Sequence, residues 1–184
     1  MKKGYNLLVL NALSFFIENP YEEIYLREFS RRLKISINTS QRFLDFFLRE
    51  GFIKEYKKAN LRYFKADLDS IVFKNIKITF SLKKIEKSGI IDVLKEHISH
   101  FILFGSSAEG KDNKESDFDF LVIGRNKQKI KEIFSKNEGR FNREINAHIF
   151  LGQEWKNQAK INKAFYQDII SKGICLIGEK PFVN

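Results

Sequence analysis

Two aspartates stand one residue apart in an apolar run, and their spacing is the first feature of this sequence that could do chemistry. The run is DFDFLVI, in which Asp117 and Asp119 alternate with Phe118 and Phe120. Since alternate residues of a strand share a face, we expect both carboxylates to point the same way while the phenylalanines enter a core. Two carboxylates held side by side repel each other unless a cation neutralises them. Their oxygens suit a hard divalent ion, Mg²⁺ or Mn²⁺, which combines one or two carboxylates with substrate phosphates.

A glycine–serine turn precedes the aspartates. Gly105 and Ser106 follow the apolar run HFILF, and residues 107–116 separate them from Asp117. Such small residues leave backbone N–H groups and a hydroxyl accessible, which favours a phosphate chain at the start of a following helix. The turn and the aspartates together predict a metal-bridged triphosphate and an in-line displacement, the chemistry of nucleotidyl transfer. An exposed, Asp-rich strand edge is the alternative.

This stretch closely resembles the signature of the DNA polymerase β-like nucleotidyltransferase superfamily. That signature is an apolar residue, Gly, then Gly or Ser, a spacer of about ten residues, and Asp, apolar, Asp or Glu, apolar. Its elements here are Phe104, Gly105, Ser106, Asp117, Phe118, Asp119 and Phe120. The resemblance implies that Gly105, Ser106 and Ser107 contact nucleotide phosphates. It also implies that Asp117 and Asp119 bind the metal and are catalytic.

Small members of the superfamily usually carry a third carboxylate on a later strand. Glu144, in the segment FNREINAHIF, best fits that position. The resemblance therefore implies that Glu144 joins Asp117 and Asp119 as a third catalytic and metal-binding residue. A surface glutamate is the alternative, because Asn146 and His148 lie on the same face of the predicted strand.

One departure from the superfamily concerns cations near the phosphates. Small members often carry arginines in the glycine–serine segment, whereas Ser107 and Glu109 stand at those positions here. Lys111, Lys114 and Arg125 are the cations we consider as replacements. The departure bears on catalysis and not on the fold.

The elements that must hold these residues alternate between strands and helices in residues 90–184. Strands are predicted at HFILF, DFDFLVI, REINAHIF and ICLIG. Helical segments are predicted before the first strand, between the second and third, and between the third and fourth. This order indicates an α/β or α+β domain. With the resemblance, we predict an α+β chain whose C-terminal nucleotidyltransferase domain, 90–184, has a mixed sheet flanked by helices. Residues 67–89 are predicted to be a linking helical segment.

Residues 1–66 predict three helices followed by a hairpin. The helices are predicted at 5–18, at YLREFSRRLKIS and at SINTSQRFLDFFLRE, which Gly51 closes. The run FIKEYKKANLRYFKAD then alternates on both sides of a turn-forming tip. This order resembles the winged helix-turn-helix family, in which the third helix enters the major groove and the wing touches the backbone. The DNA-contacting residues it implies are Ser36, Asn38, Thr39, Gln41 and Arg42 on the helix and Lys57, Lys58 and Arg62 on the wing.

Charge and composition limit the class of function. The net charge is +10, and residues 1–66 contribute six of these charges, with 13 Lys and Arg against 7 Asp and Glu. This excess favours nucleic-acid binding, while a winged helix used for dimerisation or protein contact is the alternative. The single Cys175 excludes a disulfide framework, and no apolar run approaches a membrane span, so we expect a cytoplasmic protein without a membrane contact.

Two functions remain open. The first is an enzyme that moves NMP from an NTP to a hydroxyl on RNA, protein or a small molecule, as in minimal nucleotidyltransferases of toxin–antitoxin type. Its winged helix would bind duplex DNA or hold the acceptor, with a homodimer or a cognate protein as partner. The second is a DNA-binding transcriptional regulator whose nucleotidyltransferase-like domain senses nucleotide and is catalytically weak. The intact carboxylates favour the first function, and the missing arginines favour the second.

Overall fold

The computed structural model describes residues 3–141 and 143–183 and divides the chain into two compact units. The units are Met1–Ile76 and Lys77–Asn184. The division lies within the segment 67–89 that the sequence assigns to a linking helix. No helix in the described part of the chain is long and apolar enough to cross a membrane.

The first unit contains the three predicted helices and the predicted hairpin. It also contains a two-residue strand that the sequence did not reveal, because two residues are too few for a periodic signal. The three strands form an antiparallel sheet in the order β1-β3-β2. The elements are α1 (Lys3–Glu18), β1 (Ile24–Tyr25), α2 (Leu26–Leu33), α3 (Ile37–Arg49), β2 (Ile53–Lys58) and β3 (Leu61–Ala66).

Local sequence explains the limits of α3 and of the hairpin. Ser36 caps the start of α3, since its hydroxyl accepts a hydrogen bond of 3.1 Å from the Thr39 N–H. Gly51 ends it in the left-handed conformation at φ +69°, as predicted. A two-residue loop joins β2 to β3, and Ala59 in that loop also has a positive φ of 52°. Much of the core consists of four almost completely buried phenylalanines: Phe16, Phe29, Phe43 and Phe47.

The second unit is a four-stranded mixed sheet with helices on both faces, so the predicted α+β fold class is confirmed. The strand order is β6-β5-β4-β7, in which only β5 and β6 run parallel. A 3-10 helix covers Glu138–Arg140. The other elements are α4 (Ile71–Ser88, which spans the division), α5 (Ile90–Leu94), β4 (Ile98–Phe104), α6 (Gly105–Glu109), β5 (Phe118–Gly124), α7 (Lys127–Asn137), β6 (Ile145–Leu151), α8 (Gly152–Ile161), α9 (Lys163–Lys172) and β7 (Ile174–Ile177).

The sheet separates two apolar cores. Phe118 and Phe120 lie in the core formed with α5 and α7, where neither has exposed surface. Leu121 lies in the other core, which Trp155 of α8 and Ile169 of α9 complete. The alternation along β5 therefore buries the two phenylalanines on one face, as predicted, and leaves Asp119 on the face that α8 and α9 partly cover.

Candidate active site

The two halves of the glycine–aspartate motif meet across neighbouring strands. Phe104, the last residue of β4, is the register partner of Asp119 on β5. Gly105 comes next and turns the chain at φ +69°, a conformation that favours glycine. A methyl group on Gly105 would collide with the Asp119 carboxylate, whose Cγ would lie 3.2 Å from it. Both the backbone angle and the approach of Asp119 therefore require glycine at this position.

A short helix follows the turn and buries one of the predicted phosphate-binding residues. Helix α6 ends at Glu109 and is capped by Gly110, which is left-handed at φ +66°. Ser106 is half-buried at its first turn, whereas Ser107 is fully buried and its hydroxyl has no hydrogen-bond partner in the described part of the chain. A phosphate contact by Ser107 would therefore use its backbone N–H and not its hydroxyl.

The loop between α6 and the aspartates contains a buried ionic cluster that the sequence did not predict. Asp112 accepts a 2.7 Å hydrogen bond from Nη1 of Arg143, and Nζ of Lys77 lies 3.3 Å from its other carboxylate oxygen. Lys77 also donates a 2.6 Å hydrogen bond to the Asp112 carbonyl. The side chains of Lys77, Asp112 and Arg143 are only 0%, 3% and 5% exposed. With two cations and one anion, these three residues bring one net positive charge into the interior.

Burial disfavours the charged form of Lys77. Desolvation lowers the pKa of Lys77 below its usual value, and the charge of Asp112 opposes that shift. The Arg143 guanidinium also lies over the Phe118 ring, 5.0 Å from its centroid. The cluster thus ties the loop before β5 to α4 and to the segment before β6.

The same loop ends in a hydrogen-bonded turn that sets the position of Asp117. The Asn113 side chain accepts a 2.8 Å bond from the Glu115 N–H, and the Ser116 hydroxyl accepts a 2.9 Å bond from the Asn113 N–H. Asp117 follows this turn directly, is exposed, and stands one residue before β5. An extended chain at this position would place it on the same side as Asp119.

The residue beside Asp119 on the next strand is an amide. The parallel register pairs Asp119 with Asn146, whose Nδ2 donates a 3.1 Å hydrogen bond to Oδ1 of Asp119. Glu144 lies just before β6, exposed, and its carbonyl accepts a 2.9 Å bond from the Phe118 N–H. Within 3–141 and 143–183, no group of three His, Cys, Asp or Glu residues is arranged to hold a metal ion. The sequence could not identify Asn146, because the register of β5 and β6 is a long-range property.

The donors that are present still fit a divalent ion. Asp117 and Asp119 supply two carboxylates at one end of the sheet, and phosphate oxygens of a nucleotide would complete the oxygen ligands that Mg²⁺ prefers. The role of Glu144 stays a prediction.

The cations considered as replacements for the missing arginines have different positions. Lys111 forms an ion pair with Glu109, and Nζ of Lys172 lies 3.3 Å from the same carboxylate. The hydrogen bond from Lys111, together with Lys172, lowers the pKa of Glu109. Arg125 follows the far end of β5, about 20 Å along the strand from Asp119. It is therefore too far from the aspartates to take the place of the missing arginines. Lys114 is exposed in the loop before Asp117.

Several of the helix residues predicted to contact DNA make contacts within α3. Ser36 and Thr39 form the helix cap, and their hydroxyls are 2.8 Å apart. The Gln41 amide donates a 2.7 Å hydrogen bond to Asp45. Asn38 and Arg42 are exposed. A base contact by Gln41 would therefore require it to exchange its bond with Asp45.

The wing residues are exposed, and two of them have acidic neighbours. Arg62 forms an ion pair with Glu55 across the hairpin, and Nζ of Lys58 lies 3.6 Å from a carboxylate oxygen of Glu23. Lys57 is exposed on β2. Since exposed ion pairs are weak, about 0–1 kcal/mol, these pairs do not prevent the cations from contacting phosphates.

Comparison with known proteins decides the family. The family model described as "Polymerase beta, Nucleotidyltransferase" matches residues 88–181, which is just over half of the chain. The chain belongs to the polymerase β nucleotidyltransferase family. The matched range contains the glycine–serine turn, both aspartates and Glu144, and members of this family generally use divalent metal ions and an NTP substrate. A search of the curated proteins gives no match.

Three solved structures are similar to parts of this polymerase β-type chain. HlyU from Vibrio cholerae N16961 is 20% identical over 44% of this chain and 94% of its own, with a TM-score of 0.33. A toxin–antitoxin structure with AMP-PNP is 19% identical over 51% of this chain and 74% of its own, with a TM-score of 0.39. An IcIR transcriptional regulator from Alicyclobacillus acidocaldarius is 14% identical over 57% of this chain and 42% of its own, with a TM-score of 0.35.

Proposed function

We propose that this protein is a Mg²⁺- or Mn²⁺-dependent nucleotidyltransferase that moves NMP from an NTP to a hydroxyl acceptor in the cytoplasm. The observation that carries the proposal is the close approach of Asp119 to Gly105, which brings a carboxylate directly against the glycine–serine turn. Asp117 on the same side of the chain supplies the second carboxylate. This arrangement supports a triphosphate held between the turn and a divalent ion.

Each residue of the site has a part in the proposed reaction. Asp117 and Asp119 would hold the ion, which when bound would neutralise negative charge on the phosphates. Backbone N–H groups at Gly105 and Ser106 would orient the phosphate chain. Asn146 would keep the Asp119 carboxylate in place through its 3.1 Å hydrogen bond. The acceptor hydroxyl would then attack the α-phosphorus in line, and pyrophosphate would leave.

A transfer assay tests this function. The purified chain is incubated with each labelled NTP and Mg²⁺, with total RNA or cell lysate as the source of acceptor. We expect label to move to one class of acceptor, RNA, protein or small molecule, and to be lost in Asp119→Asn. Glu132→Gln is a matched control, because Glu132 is exposed on α7 and outside the site. Equal labelling by the wild type and Asp119→Asn would contradict the proposal.

A DNA-binding regulator that senses nucleotide is the second candidate, and the amide beside Asp119 specifically favours it. Asn146 gives a metal one charge less than a third carboxylate at that place would, and Ser107 and Glu109 add no cation near the phosphates. In this case nucleotide binds without turnover and changes the affinity for duplex DNA. Mg²⁺-dependent binding of an NTP that alters DNA affinity, with no transfer to any acceptor, distinguishes this function from the first.

The basic first unit supports duplex DNA as a partner in either case. We infer that α3 and the hairpin β2–β3 act as a winged helix, with Asn38 and Arg42 near base edges and Lys57 near the backbone. An RNA acceptor, a homodimer and a cognate protein of toxin–antitoxin type are further partners consistent with this function.

A further inference from the structure

Three aromatic rings form a cluster on the sheet face that carries Asp119. The ring of His148 on β6 lies 5.5 Å from that of Phe104 on β4 and 5.5 Å from that of Phe165 on α9. Phe104 and Phe165 meet edge to face, also at 5.5 Å. These separations are within the range of favourable ring contacts, so the three rings make one continuous aromatic surface.

The strand register places this surface beside the proposed metal ligand. Phe104 is the partner of Asp119 on one side, and Asn146 is its partner on the other. His148 is the next residue along β6 on the same face, and it pairs with Leu121. Its backbone is therefore a diagonal neighbour of Asp119, at about 7–8 Å. The base of a nucleotide whose phosphate is bound at Asp119 reaches His148 over this distance, because only one sugar separates the base from the phosphate.

The three rings differ in burial. Phe104 is almost fully buried and forms the base of the cluster, whereas His148 and Phe165 are half-buried and accessible from solvent. In the part of the chain that the structure describes, no hydrogen bond engages a ring nitrogen of His148. A core histidine normally has such a partner, because an unpaired polar group is costly to bury. The imidazole edge thus keeps hydrogen-bonding capacity for a ligand.

We propose that His148 and Phe165 form a nucleobase subsite, in which Phe165 stacks on the base of the NTP and His148 hydrogen-bonds its edge. This inference rests on the proposed function, since it requires a nucleotide whose phosphates lie at Asp119 and Gly105. Base–aromatic stacking tolerates any base, because every base has a π-face. The larger purines gain more contact on the two rings, so the subsite prefers ATP and GTP to CTP and UTP.

Calorimetric titration of the full chain with Mg²⁺ tests the subsite, with ATP, CTP and inorganic tripolyphosphate as probes. Tripolyphosphate has the phosphate chain but no base. We expect ATP to bind about 5- to 150-fold more tightly than tripolyphosphate, as one stacked base provides. In Phe165→Leu and His148→Leu, ATP affinity should fall towards that of tripolyphosphate, whose own affinity stays unchanged.

A control variant separates base contact from core packing. Phe150 belongs to the same apolar cluster, 6.5 Å from Phe165, but lies one alternation farther from Asp119 along β6. Phe150→Leu removes a comparable ring and should leave the preference for ATP intact. If the wild type binds ATP and tripolyphosphate with equal affinity, the base subsite is refuted while the proposed function stands. The same holds if Phe150→Leu loses as much of the preference for ATP as Phe165→Leu does. No binding of either probe overturns the proposed function itself.

Discussion

Removing the charge of Asp112 should strongly destabilise the second unit. Asp112 is the anion of a buried cluster with Lys77 and Arg143, whose cationic groups lie 3.3 and 2.7 Å from its two carboxylate oxygens. Asp112→Asn keeps the size of the side chain but removes the carboxylate charge that both buried cations contact. Breaking a buried pair in this way costs about 3–5 kcal/mol of unfolding free energy. The nearly complete burial of all three side chains places the expected value in this range.

Lys77→Met provides the matched comparison. It removes the excess positive charge, leaves the Asp112–Arg143 pair intact and fills a similar volume with an apolar side chain. Lys77→Met also removes the 2.6 Å hydrogen bond to the Asp112 carbonyl, so we expect a loss of about 1–3 kcal/mol, which is smaller than the loss for Asp112→Asn. Both variants should be measured by urea unfolding, with unchanged slopes as evidence that the two-state comparison holds.

The pH dependence gives an independent check of the same cluster. Because burial lowers the pKa of Lys77 in the folded state, the unfolded chain binds more protons between that lowered pKa and the usual 10.5. The contribution of Lys77 to the unfolding free energy therefore rises with pH in this window. Asp112→Asn removes the charge that opposes the shift and should strengthen the rise, whereas Lys77→Met should abolish this contribution. A cost below about 1 kcal/mol for Asp112→Asn, or equal costs for both variants, would refute the reasoning.

Four further substitutions test the site and the basic unit. Gly105→Ala should destabilise the chain by about 1–3 kcal/mol and abolish Mg²⁺-dependent nucleotide binding, because Gly105 has a positive φ and a methyl group there would collide with the Asp119 carboxylate. Thermal unfolding measures the stability, and calorimetry measures the nucleotide binding. Asn146→Asp should tighten Mg²⁺ binding and lower the metal-free melting temperature through like-charge repulsion with Asp119, and an unchanged Mg²⁺ affinity would exclude Asn146 from the metal site. Glu144→Gln should lower transfer if Glu144 is the third carboxylate, and unchanged transfer would exclude Glu144 from the site. Lys57→Ala should weaken binding to all duplex sequences and reduce the salt slope by about one, and an unchanged slope in a salt titration would place Lys57 away from the backbone.

The sequence predicted the parts of the site that are close together along the chain. The spacing of Gly105, Asp117 and Asp119 was sufficient to predict the turn and the buried strand beside it. Strand alternation and the need for glycine at a tight turn are both local properties. Asn146 was not predicted as a partner of Asp119, since that contact depends on the parallel register of β5 and β6. Arg125 was considered as a replacement cation, although the predicted strand DFDFLVI already places it beyond the far end of β5.

The ionic cluster shows the same limit over a longer range. Lys77 and Asp112 are 35 residues apart, and each resembles an ordinary surface charge in the sequence. Their burial follows from how α4 and the loop before β5 pack in the second unit, which no local pattern encodes. In the first unit the helices and the hairpin were predictable from apolar periodicity and caps, whereas β1 was too short to give such a signal.

Binding of a non-hydrolysable NTP analogue to the full chain, with Mg²⁺ and with EDTA, tests the central claim most directly. The account predicts one site per chain that requires the metal and is lost in Asp117→Asn and in Asp119→Asn, while both variants keep the thermal stability of the wild type or exceed it. Binding that is equally strong in EDTA, or that survives in both variants, would contradict a nucleotide site built from the glycine–serine turn and the two aspartates.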